Sequence, residues 1–167
     1  MKIFRTLLRV VIGALFVGHG TQKLFGLFGG AGLKATAEGF DQMGMRPGMA
    51  SAIAAGAGEA GGGILLATGF MTPVGAASII ATMLTAIHRV HLKNGPWITN
   101  GGYEYNLVLI LTLLTIVEEG PGPVSIDALK GQERKGTGWA LATLAGAAAG
   151  SGAAHAVHTA MAPPEQP

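Results

Sequence analysis

Cysteine is absent from the 167 residues, which excludes a disulfide, a dithiol redox pair or a thiolate metal site built by this polypeptide alone. Charge is scarce as well. Lys, Arg, Asp and Glu together make up 12%, about half of what a soluble domain normally carries. No sign dominates: a net charge of +2 and a pI near 9.2 are too mild to imply nucleic acid, and on a membrane protein such a surplus sets topology or meets anionic lipid. The 28 glycines follow no collagen period and lie in no polar low-complexity tract. No phosphate-binding glycine loop follows a strand, because the glycine-rich run at 56–63 lies inside an apolar stretch. Inverted repeats and paired broken helices, the marks of many transporters, are also missing.

What remains is apolar. Hydrophobic residues reach 49% and mean hydropathy is +0.45, so the chain reads as an all-α polytopic membrane protein: a four-helix bundle with a fifth, C-terminal transmembrane helix. Five stretches carry this reading. The first, about 6–28, follows basic Lys2, Arg5 and Arg9 and has no small-residue cleavage site after it, so it reads as an uncleaved span rather than a signal peptide. A polar connection follows, with a short interfacial helix over 33–43. The second and third spans, about 50–71 and 72–92, meet at Thr72-Pro73 and must be antiparallel neighbours. The fourth, about 103–117, is near the lower length limit for crossing about 30 Å of hydrocarbon. Trp97, Tyr103 and Tyr105 stand where an aromatic belt is expected.

Residues 118–136 read as a polar surface linker. The last stretch, about 138–158, is alanine-rich and weakly hydrophobic, with Ala142, Gly146, Gly150 and Ala154 as a small-residue stripe suited to docking on another helix; a peripheral or unstructured tail is the alternative. His155 and His158 are read as belonging to an unstructured end and carry no further argument. The division is 1–119 bundle, 120–137 linker, 138–160 additional transmembrane helix and 161–167 tail. With the N terminus inside, the inner side holds Lys2, Arg5, Arg9, Lys130, Arg134 and Lys135, and the outer side holds Lys23, Lys34, Arg46, Arg89 and Lys93. This balance leans slightly to N-in.

Spans alternate in direction, so the depths of polar residues can be compared. His19, Gln22 and Lys23 lie late in span one, and Glu59 slightly before the middle of span two. His88, Arg89 and His91 lie late in span three, and Glu104 and Asn106 open span four. All fall in one half of the bilayer, whereas the other half holds little but Arg9. Glu59 sits roughly 13 Å into its helix. A lone carboxylate there must be paired, protonated or facing a cavity. It is either a structural ion pair with Lys23 or Arg89, or a proton-handling or substrate-binding group; the two are compatible. Lys23 could snorkel to the interface, and Glu104 could simply favour its helix dipole. His88 and His91 share a face, with His19 opposite, an arrangement from which a metal or haem could be ligated. No tight ligand spacing accompanies them, so no metal or haem is expected.

The ordered set Arg9, Gly18-His19-Gly20, Lys23-Leu24, Glu59, Gly69, Thr72-Pro73, Val90-His91, Asn94-Gly95 and Gly102-Tyr103-Glu104-Tyr105-Asn106-Leu107 resembles the DoxX family over about residues 5–118. The resemblance implies a four-helix bundle in the bacterial cytoplasmic membrane. Some members are membrane subunits of thiosulfate:quinone oxidoreductase, or partners in oxidoreductase complexes handling oxidative and thiol stress. The last stretch lies outside the recognised core. Because the chain lacks cysteine, any sulfur covalency must reside on substrate or partner, so a self-contained enzyme is not expected.

The resulting expectation is a redox-associated membrane subunit binding a quinone or similar lipophilic carrier in the polar half. Glu59, Lys23 and Glu104 are the candidate catalytic residues. His19, Gln22, His88, Arg89, His91, Tyr103 and Asn106 are the candidate carrier contacts. The expected partners are the lipid bilayer and proteins of a membrane complex, with self-association as an alternative and no nucleic acid. A non-enzymatic anchor using the Gly/Ala faces (Gly58, Gly62, Gly146) and a small-solute transporter are the rival readings.

Overall fold

The structure, a computed structural model, describes residues 3–162; Lys2 and residues 163–167 of the expected tail lie outside the described residues. Every long apolar stretch forms a helix, as it must where no water can satisfy an open backbone. Helix α1 runs over Ile3–Phe25, and α2 over Gly32–Gln42 is the short helix expected near 33–43. Helix α3 (Gly48–Thr68) begins after Pro47 and ends at Gly69, whose left-handed φ of 64° lets Gly69 N–H donate to Leu66 O and Phe70 N–H to Leu65 O. Three residues later α4 (Thr72–Ala86) begins with Pro73 in its first turn, where a missing N–H costs nothing. It runs on through a wide π-turn at Ile87–His91 and a tight turn at Leu92–Asn94. Helix α5 covers Glu104–Glu119, α6 Ile126–Leu129 and α7 Thr137–Ala160.

Four of these elements are long and apolar enough to cross a bilayer: α1, α3, the continuous rod Thr72–Asn94, and α7. The protein is thus an all-helical, multi-pass membrane protein. Helix α5 has 16 residues, about 24 Å at 1.5 Å per residue, which is short of the hydrocarbon thickness.

Glycine sets the tightest packing. A Cβ on Gly20 would lie 2.5 Å from Ala60 N and Gly56 O, and one on Gly63 would lie 2.5 Å from Gly13 O. Helices α1 and α3 therefore meet backbone to backbone, as small residues permit in lipid. Gly62 and Gly75 do the same between α3 and α4, each facing the other's carbonyl at 2.9 Å. The core proper, Leu66, Ile79, Ile80, Leu113, Ile116 and Val117, joins α3, α4 and α5. Helix α7 docks on α4 and α5.

Residues 118–136 do more than span the surface. They fold back over the ends of α1, α3 and α4, and Ser125 and Asp127 are buried. Arg9, only 1% exposed, donates from Nη1 to Leu66 O and Ala67 O at 2.6 Å, from Nη2 to Val124 O at 2.7 Å, and from Nε to Pro121 O at 2.9 Å. It thus satisfies the last carbonyls of α3 while holding the linker. Asp127 accepts from Met71 N, Thr72 N and Thr72 Oγ1 at 3.0–3.2 Å, capping the N-terminus of α4 from 55 residues away. This pole lies at the start of α1 and the α3–α4 turn, so the linker shares their side of the bundle and α5 runs antiparallel to α4.

Candidate functional site

At the opposite pole the close approach of α1 and α3 at Gly20 sets the geometry. It brings Lys23, one turn beyond Gly20, onto Glu59, and Lys23 Nζ donates to Glu59 Oε2 at 2.6 Å. The Glu59 side chain is 7% exposed and that of Lys23 25%. Of the two partners open to Glu59 in the sequence, Lys23 is the one in contact; Arg89 Nη2 instead donates to His155 O at 3.3 Å. Pairing offsets the cost of holding either charge away from water, and losing one partner would strand the other.

The pair forms part of the wall of a cavity of about 740 Å³, within the range of about 300–1,000 Å³ typical of small-molecule sites. Its wall is mainly apolar: Ile12 and Phe16 from α1, Met83 and Val90 from α4, Leu109 from α5, and Met43 and Met45 from the segment after α2. A few polar groups interrupt it. His19 is at its edge, with its ring 5.9 Å from that of Phe16. Asn106 is buried and donates to Met83 Sδ at 3.3 Å. Tyr105 lines it too. Such an arrangement can hold an amphiphile by shape and give its polar end one cation, one carboxylate and a few neutral hydrogen-bonding groups.

The other candidate residues lie outside this wall, most of them engaged elsewhere. Glu104 Oε1 accepts from Ile98 N–H at 2.6 Å, closing the loop before α5, and Tyr103 adjoins that loop as the N-cap of α5. His91 Nδ1 meets Gly101 O at 2.7 Å, and Gln22 Nε2 donates to Phe28 O at 3.3 Å. His88 packs edge-on against His155, ring centroids 4.5 Å apart. Of the sequence candidates, the structure therefore brings together Lys23, Glu59, His19 and Asn106 around one space. Among the described residues, no three of His, Cys, Asp or Glu are placed to hold a metal.

Two residues outside the sequence candidates complete the wall. His158 lies in the last turn of ordered α7 rather than in an unstructured end, is 5% exposed, and faces Ser51 of α3 with Nε2 3.0 Å from Oγ. Both line the cavity. The one sequence cue was their depth: α7 runs antiparallel to α5, so its C-terminal turn returns to the polar half.

The comparisons with known proteins cover the helices that carry Lys23 and Glu59. The family model described as DoxX matches residues 4–92, more than half of the chain. An uncharacterized protein of Haemophilus influenzae is 31% identical over 65 residues, 39% of this chain, and the chain covers 43% of that relative's length. The Bacillus subtilis protein named "Putative oxidoreductase CatD" is 32% identical over 126 residues, 75% of this chain and 86% of that one. No solved structure matches. The matched stretch contains Lys23, Glu59 and the cavity walls of α1, α3 and α4, and on this evidence the chain belongs to the DoxX family.

Proposed function

We propose that this protein is the membrane subunit of a redox system in the bacterial cytoplasmic membrane, and that its cavity takes the head of a quinone-like lipophilic carrier. The observation that carries the reading is the Lys23–Glu59 pair in the wall of a large, mainly apolar cavity. Support of a different kind comes from the Bacillus subtilis relative, whose name describes an oxidoreductase. Reduction of a quinone to its quinol takes up two electrons and two protons; the electrons come from a reduced substrate or from a donor on a partner protein, since this chain has no thiol of its own to supply them.

The chain's residues do the rest. Lys23 donates to a carrier oxygen and stabilises negative charge as it grows there. Glu59 holds or passes the proton, and the neutral total charge of the pair makes the site tolerable inside the bilayer. The apolar wall excludes water, so each hydrogen bond is stronger than it would be at the surface. His19 and Asn106 orient the head.

The test is lipid extraction and quinone analysis of protein purified gently from its native membrane, beside the Glu59→Gln variant. Quinone should co-purify with the wild type at near-stoichiometric level, and Glu59→Gln should abolish quinone-dependent turnover of the complex while the protein stays folded. Quinone-free wild type, together with full turnover in Glu59→Gln, would end the proposal. That outcome would favour the anchor reading, for which the outer face of α7 is available. A Cβ on Gly146 meets open space, whereas Gly62 is already used inside the fold against Gly75.

A further inference from the structure

On α3, Ser51, Ala55 and Glu59 follow one another at four-residue intervals and all three line the cavity. Residues so spaced share a helix face. Glu59 with Lys23 makes one polar station of this stripe, Ser51 with His158 makes the other, and Ala55 leaves room between them. Eight residues of α-helix separate the stations by about 12 Å along the axis.

His158 is the unusual member. Its Nε2 is engaged with Ser51 Oγ, yet Nδ1 is buried with no hydrogen-bond partner. A neutral imidazole has one donor and one acceptor nitrogen, so either tautomer leaves one function unused. A buried polar atom without a partner costs about 1–3 kcal/mol and calls for an explanation such as a ligand or bound water. Its neighbours do not supply one: Arg89 donates from Nη2 to the backbone of His155 while its own Nε stays buried and unpartnered, and the His155 ring packs on His88.

We propose, building on the carrier reading above, that Ser51 and His158 form the second polar pole of the same site, and that the carrier is a 1,4-dione whose two oxygens are held at opposite ends. The roughly 12 Å of helix axis between Ser51 and Glu59 leaves room for a six-membered ring between two hydrogen bonds of about 2.8 Å each. Lys23–Glu59 serves the oxygen nearer the bundle centre, and the Ser51–His158 pair serves the one nearer the headgroups. Helix α7 is then part of the binding site rather than an appendage to it.

The experiment compares two probes on the full chain in lipid nanodiscs: a short-chain para-benzoquinone and an analogue of the same ring with one oxygen removed. Wild type should prefer the dione by roughly 3- to 10-fold, the span of one net hydrogen bond. His158→Ala and Ser51→Ala should bring that preference to near unity, while Gly146→Ala on the outer face of α7, where a Cβ meets open space, leaves it standing. If His158→Ala weakens both probes equally, its role is structural and the second pole is refuted; if it changes neither, the pole is refuted as well. If wild type binds neither probe, the carrier reading itself fails and this inference with it.

Discussion

Arg9 and Glu59 are two buried charges handled in different ways. Glu59 meets an opposite charge across a helix pair, whereas Arg9 spends its guanidinium on four backbone carbonyls, with the Asp127 carboxylate committed nearby to the first turn of α4. That distribution needs a planar fork of donors, which lysine lacks. Arg9→Lys should therefore lower the thermal midpoint in detergent clearly, and Arg9→Met should cost more, about 3–5 kcal/mol; an Arg9→Lys protein melting with wild type would show that the fork is not what holds the linker. At this scale the legibility of the sequence was uneven. The Lys23–Glu59 pair could be anticipated because alternating span directions fix relative depth. Asp127 could not, since its partners are 55 residues away and a polar, proline-containing segment reads the same whether solvated or folded onto helix ends. His158 was obscured by the weak hydrophobicity of its helix.

Among the elements, apolar runs and their punctuation placed every long helix within a few residues, with Thr72-Pro73 marking the α3–α4 turn. Face selection was harder. The expected docking stripe of α7 is split: Ala142 and Gly146 lie on the outside, whereas Gly150 and Ala154 line the cavity and a Cβ on Gly150 would stand 3.6 Å from Ala81 of α4; the buried stripe is Ala140, Thr143, Ala147 and His158. Both are made of small residues, so periodicity cannot choose between them, and the neighbouring α4 and α5 surfaces decide. Similar ambiguity attends the glycines of α1, where the structure separates two roles. Gly20 has opposing backbone 2.5 Å from a built Cβ, while Gly18 has nothing within 4 Å. Gly20→Val should force α1 from α3, part Lys23 from Glu59 and lower stability by at least about 2 kcal/mol, as overpacking does. Gly18→Ala should be neutral or stabilise by about 0.5–1 kcal/mol through helix propensity. Thermal melts of the two variants decide the matter, and equal melts would mean that the α1–α3 seam is looser than described.

The whole molecule has two poles with different tasks. One, built from Arg9, Asp127 and the linker, ties helix ends together; the other, built from Lys23, Glu59, Ser51 and His158, surrounds open space. This polarity depends on α5 and α7 both running the full depth of the bundle, although α5 is only about 24 Å long at the usual rise. The bilayer must thin locally, or the linker must sit within the headgroup region, for the mismatch to be absorbed. The absence of cysteine makes the arrangement testable, because any introduced thiol is the sole label site. Single replacements Lys93→Cys, Lys130→Cys and Thr159→Cys place one probe after α4, one in the linker and one at the end of α7. With a membrane-impermeant maleimide on intact cells, Lys93→Cys and Thr159→Cys should label together and Lys130→Cys should label only after the membrane is opened, given an N terminus inside. The reverse pattern would turn the molecule over without disturbing its architecture. Labelling of Thr159→Cys with Lys130→Cys, and apart from Lys93→Cys, would mean that α7 fails to cross. His158 would then sit on the wrong side of the membrane to share a site with Glu59.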